Sequence, residues 1–127
     1  MTVWLSEKIV LALHDEQLAE HGGATGVRDA GLMESALARP VNHAAYGTPD
    51  TAELAAIYAI GIARNHPFID GNKRTAFAAL VLFLSLNGLQ LVALEVEATI
   101  MALRMAAGDA DDAEYIAWVR DHAELKA

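Results

Sequence analysis

Nine residues, His66-Pro67-Phe68-Ile69-Asp70-Gly71-Asn72-Lys73-Arg74, put an imidazole, a carboxylate, an amide and two adjacent cations directly before an apolar run from Ala76 to Leu84. This junction constrains the fold more than any other part of the chain. The apolar run reads as a buried helix. Polar groups this dense beside a core helix are expensive to place unless each has a partner or water. Pro67 disfavours helical geometry at His66, so a helix arriving from Thr51 should end there. Asp70 and Gly71 are turn formers, and Gly71 lets the backbone come close to a ligand. A second helix should begin near Asn72, run to about Leu86 and stop at Asn87-Gly88. The chain is thereby committed to two core helices joined by a short polar loop.

Lys73 and Arg74 then fall in the first turn of the second helix, where the macrodipole is positive and cations are mildly disfavoured. Helix N-termini also expose unpaired backbone N–H groups and bind anions readily. Two cations in that place, beside free amides, make sense if an anion such as a nucleotide phosphate neutralises them.

The nine residues resemble the signature of the Fic/Doc superfamily, H-[P/x]-F-x-[D/E]-[G/A]-N-[G/K]-R. The form Asn72-Lys73-Arg74-Thr75 is similar to the Doc (death-on-curing) branch, the toxins of toxin–antitoxin pairs. Upstream, Gly31-Leu32-Met33-Glu34-Ser35-Ala36-Leu37-Ala38-Arg39-Pro40 and Ala45-Tyr46-Gly47 extend the likeness, so that it covers most of the chain. The resemblance implies that His66 is a general base toward a target hydroxyl, a role that suits an imidazole. It implies that Phe68 anchors the loop and that Asp70 helps to hold Mg2+, which prefers oxygen ligands shared with phosphates. Gly71, Asn72, Lys73 and Arg74 match the anion-cradling positions. Arg74 would offer a planar fork and Lys73 a point charge. Catalysis is thus expected of His66, Asp70, Lys73 and Arg74. Arg64, two residues before the histidine, is expected to help bind phosphate.

Lys73 bears on the reaction. In AMP-transferring Fic enzymes the matching position is glycine, which leaves room for the inner phosphates. In Doc-like proteins a lysine turns the nucleotide round, so that the γ-phosphate of ATP faces the acceptor and the enzyme is a kinase. Gly71 leans toward the Fic pattern. The expected function is a toxin that phosphorylates a Ser/Thr hydroxyl in the translation machinery, with a Tu-type elongation factor as the family-implied target. AMP transfer and a catalytically silent nucleotide- or antitoxin-binding protein are the alternatives. No segment matches the S/T-x-x-x-E-G/N inhibitory helix of self-restrained Fic proteins, so restraint is expected from a cognate antitoxin.

The remaining chain reads as helices. Ser6 is a good N-cap for a helix to about Glu20, with Ile9, Val10, Ala12, Leu13 and Leu18 along it. His14 and His21 flank Glu16 and Glu20; their spacing is not a matched ligand set, and they read as a solvated helix end. Gly22-Gly23 ends that helix. A second begins at Asp29 or Ala30 and should close at Pro40. Asn42 to Asp50 then reads as a loop, in the family a flap beside the active site, where His43 and Tyr46 could touch a protein substrate. After Gly88, Leu89 to Val92 suits a short strand or connector, followed by helices from about Glu95 to Ala107 and from Asp111 or Asp112 to about His122. Tyr115, Ile116 and Trp118 should pack on the bundle. The expectation is an all-α, compact single-domain bundle spanning 1–127, of the Fic/Doc type, with about six helices and at most a minor strand or flap.

Composition agrees. The 127 residues are 54% hydrophobic, enough for one helical core. The absence of cysteine excludes disulfides and thiolate metal sites and fits a reducing cytosol. The longest apolar run is far short of a membrane span, so a cytoplasmic protein is expected. The net charge of −8, from 17 acidic and 9 basic side chains, argues against direct nucleic-acid binding. A cationic pocket in so acidic a body would focus anionic nucleotides.

Overall fold

The computed structural model describes residues 1–127. Its helices are α1 (Glu7–His21), α2 (Ala30–Ala45), α3 (Thr51–Asn65), α4 (Asn72–Leu86), α5 (Glu95–Ala107) and α6 (Asp112–His122). Two short strands, β1 (Leu89–Leu91) and β2 (Ala123–Leu125), pair antiparallel with Leu89 opposite Leu125. The fold is all-α, as expected, and the strand pair clips the end of α6 beside the turn that follows α4. Ser6, Asp29, Asp50 and Asp111 cap α1, α2, α3 and α6, each side chain accepting the backbone N–H three residues on.

Helix α3 is the axis of the bundle. From Ala52 to Ala63 every residue but Glu53 is buried. A helix apolar on all sides is stable only inside others, and α2, α4, α5 and α6 pack round it. Gly61 marks the close crossing with α2, since a Cβ there would stand 3.2 Å from the Cβ of Ala36. On the α4 side, Tyr58 and Phe83 meet at a ring-centroid distance of 5.0 Å. The Tyr58 hydroxyl accepts the Leu5 N–H at 3.0 Å, and burial pushes that phenol above its ordinary pKa. The extended start of the chain forms no strand. Asn87 holds it instead, accepting the Val3 N–H at 2.8 Å and donating to the Val3 carbonyl at 3.0 Å.

One sequence expectation fails here. Pro40 does not close α2, which continues to Ala45 with the proline buried inside it. An interior proline costs about 3 kcal/mol. Its burial against the bundle, and tethers on either side of it, offset that: Arg39 reaches Asp112 at 2.7 Å and His43 reaches Glu53 at 2.5 Å. The loop expected from Asn42 is therefore shorter, and His43 belongs to the last turn of α2. Tyr46, by contrast, lies beyond the helix and is 93% exposed.

Two carboxylates fasten α6 to the rest. Asp50 takes Arg120 at 2.7 Å, and that hydrogen bond holds its carboxyl below the ordinary range. Asp112 binds both Arg39 and Arg64. Burial pushes the Asp112 carboxyl up, but the two guanidinium groups outweigh it and the net shift is downward. A carboxylate with a lowered folded pKa contributes stability that is complete above its unfolded pKa, about 4, and fades as pH falls through the folded value. Asp112→Asn should therefore lower Tm by a constant amount between about pH 6 and pH 8, and the gap to wild type should close below about pH 4. Thermal unfolding across that pH series checks the assignment, and a gap that does not close in acid contradicts it.

Candidate active site

Helix α3 ends by delivering His66 to the surface in a left-handed conformation, φ 51° and ψ 54°. It is the one non-glycine residue with positive φ. A residue with a Cβ adopts that geometry only where its surroundings enforce it. Below it, Phe68 is buried and Asn72 locks the loop. The Asn72 amide accepts the Phe68 N–H at 2.9 Å and donates to the Phe68 carbonyl at 3.0 Å. Its nitrogen also lies 3.5 Å from His66 Nδ1, a contact too long to fix the imidazole tautomer. Asn72 was expected to cradle an anion, but its side chain is consumed inside the loop.

The sequence reading missed two residues that hold the same loop. His14 is buried, its ring stacked on Phe68 with centroids 3.7 Å apart and planes 4° apart. Its Nε2 lies 2.8 Å from the Asp70 carbonyl; a carbonyl only accepts, so Nε2 carries the proton. The solvated helix end foreseen for His14 is thus overturned. Its position on the inner face of α1 leaves it no water, and the loop carbonyl satisfies it. The second is Arg28, from the segment after α1. Its guanidinium donates to the Asn65 and His66 carbonyls at 2.9 and 2.7 Å. The available signal was the glycine density of Gly22, Gly23 and Gly26 ahead of Arg28-Asp29, more than a helix stop requires.

Arg64 also departs from expectation. Its guanidinium donates to the carbonyls of Met105 and Ala110 and to Asp112. Each of its three nitrogens donates once to the α5–α6 junction, so the side chain serves first to tie α3 to that junction. An arginine in the last turn of a helix faces whatever packs there, and here that is a carboxylate and the carbonyls of Met105 and Ala110.

The other motif residues face outward. Asp70 is exposed, accepting the Gly71 N–H at 2.8 Å and the Ala24 N–H at 3.3 Å. Gly71 is the N-cap of α4 at φ 78°, and no side chain caps that helix. Lys73 and Arg74 are exposed in its first turn, with no acidic residue among them. The two cations open into a groove of about 700 Å3 between α1, α4 and α5, which continues over Phe77, Val81, Ala98 and Leu103. His66 and Asp70 do not line that groove. No three His, Cys, Asp or Glu side chains gather closely enough to hold a metal by themselves. Asp70 is the loop's one exposed carboxylate and would suit Mg2+ only with phosphate and water oxygens as the further ligands.

The sequence profile of the Fic/DOC family matches residues 4–84, the stretch from the extended start to the last turn of α4 that contains the motif loop and Arg28, and the chain belongs to that family. Its likeness is to the Doc branch. Protein kinase doc of Escherichia phage P1 is 39% identical over 87 residues, which are 68% of this chain and 69% of that one. Toxin Doc of Mycolicibacterium smegmatis is 48% identical over 75 residues, 57% of each chain. The chain thus spans little more than half the length of the second relative.

The loop geometry yields a stability prediction. His14→Ala removes the only side-chain donor to the Asp70 carbonyl and the face against which Phe68 stacks. It should cost about 2 to 4 kcal/mol in denaturant unfolding. His21→Ala, at an exposed position on the same helix, should change stability by less than about 0.5 kcal/mol. Equal effects would contradict the buried role of His14.

Proposed function

We propose that this protein is a Doc-type toxin, a kinase that moves the γ-phosphate of ATP to a serine or threonine hydroxyl of a protein. One observation carries the reading: Arg74 is the only arginine without a partner. Arg39, Arg64, Arg104 and Arg120 each pair with a carboxylate, and Arg28 is spent on carbonyls. Arg74 stands free beside Lys73 at a helix start that no side chain caps. In a chain of net charge −8, with 17 acidic side chains available, two unpaired cations at a helix N-terminus are explained by an anionic ligand.

On this reading the ATP phosphates lie across the first turn of α4. Arg74 forks onto their oxygens and Lys73 adds a point charge. His66 takes the proton from the acceptor hydroxyl as its oxygen bonds to the γ-phosphorus. The bond from that phosphorus to the β–γ bridging oxygen breaks, and ADP leaves. Asp70 is the side chain that would hold Mg2+, whose charge neutralises the phosphates when bound. The acceptor is proposed to lie in the translation machinery, a Tu-type elongation factor being the family-implied one. Tyr46, exposed beyond α2, remains a candidate contact for it. His43 is less suited, being tied to Glu53. A cognate antitoxin would restrain the enzyme by covering the apolar groove that runs from Lys73 and Arg74.

Gly71 gives no support to AMP transfer. Its φ of 78° explains the glycine, and a Cβ there would meet Leu18 and His14 at 3.5 to 3.6 Å, ordinary contact. The turn conformation is by itself enough to account for the glycine. Parallel reactions with ATP labelled at the γ- or the α-phosphate, in a cell extract with magnesium, test the proposal. Protein label from the γ position alone is expected; label from the α position would make the enzyme an AMP transferase. His66→Ala should abolish transfer while ATP affinity stays within about 3-fold of wild type. Arg74→Ala should weaken ATP binding by about 10-fold or more, in line with loss of a charge-assisted bidentate contact. Titration calorimetry with ATP separates the two effects.

A further inference from the structure

We infer that the segment Gly22 to Asp29 is a clasp that positions His66, and that Arg28 is its positioning residue. This rests on His66 being the proton acceptor proposed above. The last carbonyls of a helix lack internal partners, and a left-handed residue at its end turns them away from the axis. At the end of α3 three consecutive carbonyls face this fate, and one residue receives all three. Arg28 Nη2 donates to Asn65 O at 2.9 Å, Arg28 Nε to His66 O at 2.7 Å, and the Arg28 backbone N–H to Pro67 O at 2.7 Å. The Asp29 N–H shares Pro67 O at 3.1 Å, and the Ile69 N–H returns a bond to Gly26 O at 3.1 Å. Val27 and Phe68 form an antiparallel bridge between the two segments.

The clasp has a rigid root. Asp29, next to Arg28, caps α2 by accepting the Leu32 N–H at 2.9 Å, so the frame of a whole helix stands behind the fork. Its path is also fixed sterically. A Cβ at Gly23 would come within 2.8 Å of Asp70 Oδ2, and Gly26 sits at φ 113°. The guanidinium fork matches two neighbouring carbonyls because its N–H groups are coplanar and fixed in angle. A lysine keeps the charge but supplies a single mobile donor. Arg28 touches neither a phosphate nor an acceptor on this reading. It acts through the backbone of His66, setting the direction in which the imidazole leaves the chain.

The test compares wild type with Arg28→Lys and Arg28→Ala by two readouts. The first is transfer kinetics. Arg28→Lys should lower kcat by about 10- to 100-fold, the scale of a misplaced reacting group, while KM for ATP changes less than about 3-fold. Arg28→Ala should be the more damaged of the two. The second readout is the NMR signal of the His66 ring and the hydrogen exchange of the Phe68 and Ile69 amides. The variants should shift the ring signal and speed exchange at those amides, while the core amides of Ile60 and Leu80 keep their protection. Unmoved His66 and loop signals in both variants would overturn the clasp, whatever the kinetics. Shifted signals in a protein whose wild type transfers no phosphate would uphold the clasp and reject only the kinase reading. A loss of core protection in Arg28→Ala leaves Arg28→Lys as the deciding variant. An Arg28→Lys protein with unchanged kcat would overturn the proposal.

Discussion

Helix α3 is apolar round nearly its whole circumference, and a helix of that kind has no face to show to water. Everything else in the chain follows from the need to cover it. Four helices pack round it, and α2 approaches closely where Gly61 meets Ala36 at the crossing. Where α3 leaves the core its last carbonyls are left without helical partners, at the place where the motif histidine must reach the surface. Burial of the helix and exposure of its cap are opposing demands on adjacent residues. They are reconciled by donors from elsewhere in the chain: Arg28 on the carbonyls of Asn65, His66 and Pro67, and Asn72 on that of Phe68.

The polar groups of the motif accordingly divide into two kinds. Asn72 and the buried ring of Phe68 face inward, where His14 completes the packing with a stacked ring and a hydrogen bond to Asp70 O. His66, Asp70, Lys73 and Arg74 face outward and make few or no internal bonds. An outward group without a partner costs nothing in water, so exposure alone does not argue for function. What argues for it is selectivity: the fold pairs its other arginines with carboxylates or carbonyls and leaves Arg74 free at an uncapped helix start, in a chain with an excess of carboxylates.

Much of this was legible in the sequence because it is local. Ser6, Asp29, Asp50 and Asp111 each mark a helix start through a bond to a residue three positions on, and the helices begin one residue after them. Pro67 and Gly71 punctuate the motif loop in the same way. The failures share a cause, which is that each depends on what lies across space. Pro40 is a helix breaker by propensity, yet tertiary burial and the tethers of Arg39 and His43 carry α2 past it. The family resemblance suggests Arg64 for phosphate, but it faces α6, and the Asp112 that claims it is distant in sequence. His14 sits among charged residues and reads as solvated, although its face of α1 is the one turned to Phe68. The pairing of β1 with β2 was invisible because Ala123-Glu124-Leu125 has no strand signature of its own; only the position of α6 brings it to Leu89.

The same distinction explains why the family motif, specific as it is, does not specify its own geometry. The nine-residue loop bears the groups proposed as base, metal ligand and anion site, but donors from elsewhere hold its histidine in the left-handed turn. Its carbonyls are too many and its internal donors too few. The missing donors come from Arg28, behind which α2 stands capped by Asp29. They come also from His14, on the helix that α4 packs against. Chemistry in this fold is therefore written in one segment and aimed by two others. The glycines at 22, 23 and 26, which bear no chemistry, shape the path by which the second of these reaches the first.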